Sequence, residues 1–301
     1  MSLLTRPFIL SCAFILVAHT NGQDSTWSNA GLADDAAEAP LDIDSLIASF
    51  QWETGTIALS EGAITLDVPP THKFLEAAQA YHLLVDVWEN PPGITDALLG
   101  VVLHAEADTY SDSPAYVVYY EESGYVHDRD AGRIDYDAKL RDMIREDSLS
   151  NVERRAAGYG GLQLIGWASP PHYDRQRKAL HWAKEMVSEN SERNVLNYNI
   201  RVLGRFGVVV INAISTMDHL TEVKAELPSV LDMAAFNKGY RHTDYDPSID
   251  GASQKGLGSL IDGKDEEIKG TIMRLLLIGA GAFVGMLLII IALWYFFARK
   301  R

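Results

Sequence analysis

Between Gly55 and Val68, small or polar residues alternate with Ile57, Leu59, Ile64, Leu66 and Val68 on either side of Glu61 and Gly62, and this two-residue period predicts a β-hairpin. Pro69, Pro70 and Thr71 then interrupt the pattern and offer a helix cap. Phe74, Ala77, Ala78, Tyr81, Leu84, Val85 and Trp88 recur at helical spacing, which predicts a helix over 72–88 that ends at Asn90, Pro91, Pro92 and Gly93. Strands are expected at 98–104 and 115–122, the second dense in Tyr and Val. A turn-rich segment, 124–132, leads into a helix over 136–157. Four apolar-rich runs, 161–169, 178–187, 195–204 and 206–215, are separated by turn residues and read as an antiparallel meander, with a helix over 217–236 covering one face. Strands that come in consecutive groups, not singly between helices, place the chain in the α+β class with antiparallel sheet packed on helices.

The pattern changes character at both ends. Residues 8–18 are apolar but too short to span a bilayer, follow Arg6, and precede Thr20, Asn21 and Gly22, so residues 1–22 are expected to be a cleaved signal peptide. Residues 23–48 show neither period and are rich in Asp, Ala, Ser and Asn, as in a disordered acidic leader. At the other end, 275–297 is uncharged and mostly apolar. At about 1.5 Å of rise per residue it reaches roughly 34 Å, enough for a hydrocarbon core of about 30 Å. Arg299, Lys300 and Arg301 follow it and orient a transmembrane helix with residues 298–301 in the cytoplasm. The exported domain is then 49–247, with a division into two subdomains near residue 158 left open, and 248–274 is a juxtamembrane linker. Gly281 and Gly285 lie on one face of the anchor helix, which predicts weak self-association through it.

Charge narrows the partners. All 41 Asp and Glu fall within 24–270, against 21 of the 26 Lys and Arg, so the exported segment carries about −20 and nucleic acid is a poor partner. Cys12 is the only cysteine and lies in the signal segment, which removes disulfides and thiolate chemistry from the mature chain.

Three groups of residues could carry chemistry. Asp246, Ser248, Asp250 and Gly251 copy the opening of a calcium loop, but Leu257 stands where a bidentate Glu is required, and Asp128, Asp130, Asp135 and Asp137 read as a solvated turn feeding a helix N-terminus. No metal site is therefore expected, and no cofactor. His172 and Asp174, facing His181 across a hairpin, could act as a base with its orienter, though no nucleophile accompanies them. Asn197, Asn199 and Arg201, with Arg205 further along, share one face of a strand and could bind a carboxylate or phosphate; the simpler expectation pairs Arg201 with an acidic side chain that ties the sheet to a helix.

A series of unusual words occurs in one order: Leu66-Asp67-Val68-Pro69, Trp88-Glu89-Asn90-Pro91-Pro92, Gly124-Tyr125-Val126-His127-Asp128, Gly166-Trp167-Ala168-Ser169-Pro170-Pro171-His172, Leu180-His181-Trp182-Ala183-Lys184 and Leu196-Asn197-Tyr198-Asn199-Ile200-Arg201. In this the chain resembles the bacterial membrane-anchored proteins grouped as domain of unknown function 2167, over nearly all of 50–263, departing at Glu89 and Arg129. The resemblance implies a bacterial exported domain with a tether and brings no catalytic residues with it. The resulting expectation is a single-pass protein of the bacterial cytoplasmic membrane whose periplasmic domain is a binding or scaffolding module with an envelope protein as partner. The competing class is a tethered hydrolase-like enzyme using His172, Asp174 and His181.

Overall fold

Seven strands form one antiparallel sheet in the order β3-β4-β5-β10-β9-β8-β7: β3 His72–Glu76, β4 Leu98–His104, β5 Ala115–Glu121, β7 Leu162–Asp174, β8 Ala179–Ser188, β9 Val195–Leu203 and β10 Val208–Thr216. The computed structural model describes residues 42–90, 97–156, 158, 160–250 and 255–262. The expected signal peptide, the anchor with Gly281 and Gly285, and the basic tail lie outside the described residues. Among the described residues no helix is long and apolar enough to cross a membrane.

The expected meander is present as β7 to β10, and β10 pairs with β5 from Val208↔Glu121 to Ile214↔Ala115. The strands before and after residue 158 therefore belong to a single sheet. β7 runs past Pro170 and Pro171, where the sequence places a loop. It is an edge strand, and the register shift between Ser169 and His172 takes both prolines, which have no N–H to donate, out of the ladder with β8.

Two layers enclose this sheet. On one face, Phe74, Val102, Tyr116, Val118, Tyr198, Ile200, Val209 and Ile211 pack against a three-stranded sheet of β1 Gly55–Leu59, β2 Ile64–Val68 and β11 Ala234–Phe236, and against helix α4 Leu220–Met233. On the other, Leu75, Val101, Val117, Tyr119, Leu180, Trp182 and Val210 meet α1 Ile43–Ser49, α2 Ala77–His82 with the π-turn Leu83–Val87, α3 Tyr136–Ala156 and α5 Ser259–Asp262. The parallel pair β6 Val126–His127 and β12 Lys255–Gly256 holds α5 in place.

Three expectations need correction. The leader is helical where it is described: Asp42 caps α1 by accepting from Ser45 N, and Ile43, Leu46 and Ile47 pack on the core. Residues 72–76 form strand β3, not the start of a helix. A surface helix buries one stripe, whereas here Phe74 enters one core and Leu75 the other, which only a strand achieves. A Cβ at Gly100 would lie 2.3 Å from the Leu75 carbonyl oxygen, so the close β3–β4 approach depends on glycine. Residues 234–236 leave the predicted helix for β11, because pairing with Ile64, Thr65 and Leu66 covers the edge of β2.

Candidate binding cavity

The α3–α5 layer covers its face of the sheet incompletely. Helix α3 is polar around most of its circumference and attaches to the edge of β7 by side chains. Asp147 accepts from Leu164 N at 2.8 Å, and Asn151 accepts from Leu162 N at 2.6 Å while donating to Leu162 O at 3.1 Å. These bonds satisfy the edge of β7. They leave a cavity of about 220 Å³ over β5, β10, β9 and β8. At the ~30 Å³ that a water occupies in the liquid, that is room for about seven waters.

Strand register decides which side chains enter. Trp182 pairs with Asn199, Asn199 with Asn212, and Arg201 with Val210, so all five point to the same face, and Lys184 joins them from β8. Arg201 donates to the Asn212 Oδ1 at 3.2 Å and to its neighbour's carbonyl Ile200 O at 3.3 Å, and its guanidinium lies 5.3 Å from the Trp182 ring centre. It forms no ion pair among the described residues, so the expected pairing with a helix carboxylate is absent; Glu121 acts on it only at longer range. Burial lowers the guanidinium pKa, and the nearby Glu121 works against that. Lys184 likewise forms no hydrogen bond or ion pair among the described residues. Burial first, then the neighbouring Arg201, pulls its ammonium down to about 8, and the Asp147 carboxylate works against both. The Trp182 indole N–H is buried without an acceptor.

Four carboxylates also line the cavity, Glu121, Glu146, Asp147 and Asp262; Glu121 acts on Arg201 and Asp147 on Lys184 at longer range, without an ion pair. Asp262 pairs with Lys139 at 3.1 Å, and Asp147 is held by the β7 edge, burial raising its pKa. Apolar walls come from Leu164, Met143, Met186, Val210, Leu260 and Ile261.

Of the residues singled out from sequence, Asn199 and Arg201 line this cavity, and Asn197 stands beside them, accepting from Asn199 Nδ2. Arg205 does not. It forms a two-pronged pair with Asp250 at 2.8 and 2.8 Å, which also occupies the supposed calcium loop, where Asp246 caps Ser248. The acidic turn is less solvated than expected. Asp128 accepts from Tyr173 Oη at 2.7 Å and Lys178 Nζ at 2.9 Å, and Asp130 accepts from the backbone at Leu257 and Gly258, while Asp135 caps α3 as foreseen.

His172, Asp174 and His181 do not assemble a catalytic set. They lie on the opposite side of the sheet from Arg201, since His181 shares its face with Ala179 and Ala183. His172 is exposed, its ring 5.3 Å from that of His181. Asp174 is taken by Gln176 N, Arg177 N and the Arg177 guanidinium, and His181 Nδ1 is bonded to the Tyr198 hydroxyl at 3.0 Å. Among the described residues no carboxylate is hydrogen-bonded to either ring; burial, then His172, holds His181 at about 4 against the pull of Asp174. Lys184, Asn212 and Trp182 were missed by sequence reading. Asn212 carried a signal, as the lone polar residue within Val208 to Ile214.

The family model described as "Protein of unknown function (DUF2167)" matches residues 51–294. No curated protein matches. Among solved structures, the chain is similar to cyanobacterial PsbP (CyanoP) from Synechocystis sp. PCC 6803, with 9% identity, TM-score 0.37, and coverage of 60% of this chain and 91% of that one. It is also similar to the Ran-binding protein Mog1p of Saccharomyces cerevisiae, with 13% identity, TM-score 0.32, and coverage of 62% and 96%, and to LpqN of Mycobacterium tuberculosis, with 15% identity, TM-score 0.31, and coverage of 65% and 96%. Likeness at this level assigns neither ligand nor partner.

Proposed function

Given that the chain belongs to the DUF2167 family of proteins of unknown function, we propose that it is a membrane-tethered binding module of the bacterial cell envelope whose cavity holds a small anion with an apolar body. One observation carries the reading: two half-buried cations, Lys184 and Arg201, face one cavity and form no ion pair among the described residues. Charges removed from water are stabilised only by partners, and a carboxylate or phosphate would supply one to both. The guanidinium offers a fork, the ammonium a point charge, and the indole N–H a third donor, while the Met, Leu and Ile walls suit an apolar body. The apolar run 275–297 supports the tether, and the placement of the domain in the periplasm is part of the same proposal.

The test uses the full chain in detergent, followed by thermal unfolding with benzoate and phenyl phosphate, and with benzyl alcohol as the uncharged control. The anions are expected to raise Tm in the wild type and to lose that effect in Arg201→Gln. Equal shifts with benzyl alcohol, equal shifts in Arg201→Gln, or no shift with either anion would count against the proposal.

A further inference from the structure

On the opposite face of the sheet, the β3–β4 register pairs His72 with His104, and helix α4 brings Glu226 over them. One nitrogen of each ring and one carboxylate oxygen all lie within 4.8 Å of one another. His104 Nε2 is 3.2 Å from Glu226 Oε1, and the rings of His72 and His104 are 4.6 Å apart. The other Glu226 oxygen accepts from the Tyr116 hydroxyl.

His72 points to a ligand independently of the cluster. The residue is only 3% exposed, and its Nε2 is buried with no hydrogen-bond partner, although a buried imidazole nitrogen normally has one. Its Nδ1 is 3.0 Å from the Thr71 hydroxyl. With Nδ1–H donating to that oxygen, Nε2 carries the lone pair, as a metal requires. Burial and the neighbouring His104 both keep the ring neutral.

We propose that His72, His104 and Glu226 bind a first-row divalent cation, with zinc the ion their chemistry fits best. Two imidazoles and one carboxylate are a familiar donor set for zinc, with a fourth position left for water. Donor atoms around a tetrahedral zinc stand about 3.3 Å apart, so the present spacing closes by small side-chain rotations. Thr71 and Tyr116 are positioning residues, each fixing one ligand through its far atom. The ion enters from the side where His104 and Glu226 keep 23% side-chain exposure. Once bound, it fastens α4 to β3 and β4. This inference is independent of the anion cavity, which lies across the sheet.

The test is zinc titration by calorimetry of full-length protein stripped with chelator, paired with the visible spectrum after cobalt substitution. Wild type is expected to take one ion with a histidine-ligated cobalt spectrum and a raised Tm. Glu226→Gln and His104→Gln, both at partly exposed positions, should weaken binding by more than about 100-fold and lose the Tm gain, while Tyr116→Phe weakens it by about tenfold. The surface change His82→Gln should leave it unaltered. Circular dichroism confirms that each variant is folded, and His72→Asn adds a third ligand test if it folds. A wild-type chain that takes no zinc, or Glu226→Gln and His104→Gln variants that take it as the wild type does, would overturn the assignment.

Discussion

The two faces of strand β9 meet different worlds. Leu196, Tyr198, Ile200 and Val202 are buried in close-packed apolar surroundings against α4 and the three-stranded sheet. The intervening Asn197, Asn199 and Arg201 face the other way, toward a cavity beneath α3 and α5. The backbone is shared, so the difference comes from the covering layer. An amphipathic helix and a second sheet seal one face, and a polar helix hung from the edge of β7 by Asp147 and Asn151 leaves the other open. Along β9, then, one face is packed closed and the other leaves room for a ligand.

Substitutions should separate the two. Ile200→Ala deletes packed methylenes on the sealed face and is expected to cost about 2–5 kcal/mol in urea unfolding. Arg201→Met on the open face should stay within about 1 kcal/mol of wild type, because losing a desolvated charge offsets the lost bond to Asn212. A large loss from Arg201→Met would erase the distinction.

The sealed face also carries His181, whose pKa is held at about 4 by burial, helped by His172. Between about 4 and the ordinary value of 6.5, the unfolded chain binds the proton and the native one does not. Its contribution is thus complete above pH 6.5 and disappears as pH falls toward 4. Unfolding free energy measured from pH 7 to 4 should fall less steeply in His181→Gln than in wild type. Equal slopes would show that His181 is not buried as described.

On the open face, the relevant titration is that of Lys184. Its native pKa of about 8 means that an anion meets a charged ammonium below pH 8 and a neutral amine above it. Benzoate affinity should therefore weaken as pH climbs past 8, and Lys184→Met should abolish that dependence. A smaller effect comes from Asp128, whose carboxyl is held at about 2 by Lys178 and Tyr173 against the cost of burial. The stability it adds is present above pH 3.8 and lost as pH falls toward 2. Lys178→Met should shrink that loss by bringing the native pKa back toward 3.8, by an amount discounted for the solvent around the pair.

Much of the fold is legible as periodicity. The hairpin, the meander and α3 follow from alternation and capping, and so does the polar face of β9, because Asn197, Asn199 and Arg201 interrupt an otherwise apolar strand at every second place. What is not legible depends on partners distant in sequence. His72 falls in a segment whose spacing also fits a helix, and only pairing with β4 makes it a strand and sets it opposite His104. Lys184 looks like an ordinary solvated lysine until its strand is placed beside β9. Asp174 and His172 are close in sequence to His181, yet a turn that uses Asp174 for its own backbone N–H groups takes the acid away from both rings.

The most direct test is the unfolding free energy of full-length wild type and Arg201→Met, each measured with and without saturating benzoate. Without ligand the two should be nearly equal; with ligand the wild type alone should gain stability, by the amount that binding to the native state supplies. Unfolding of Arg201→Met without ligand, or an equal gain in both proteins, would contradict the division of β9 into a face that holds the fold and a face that holds an anion.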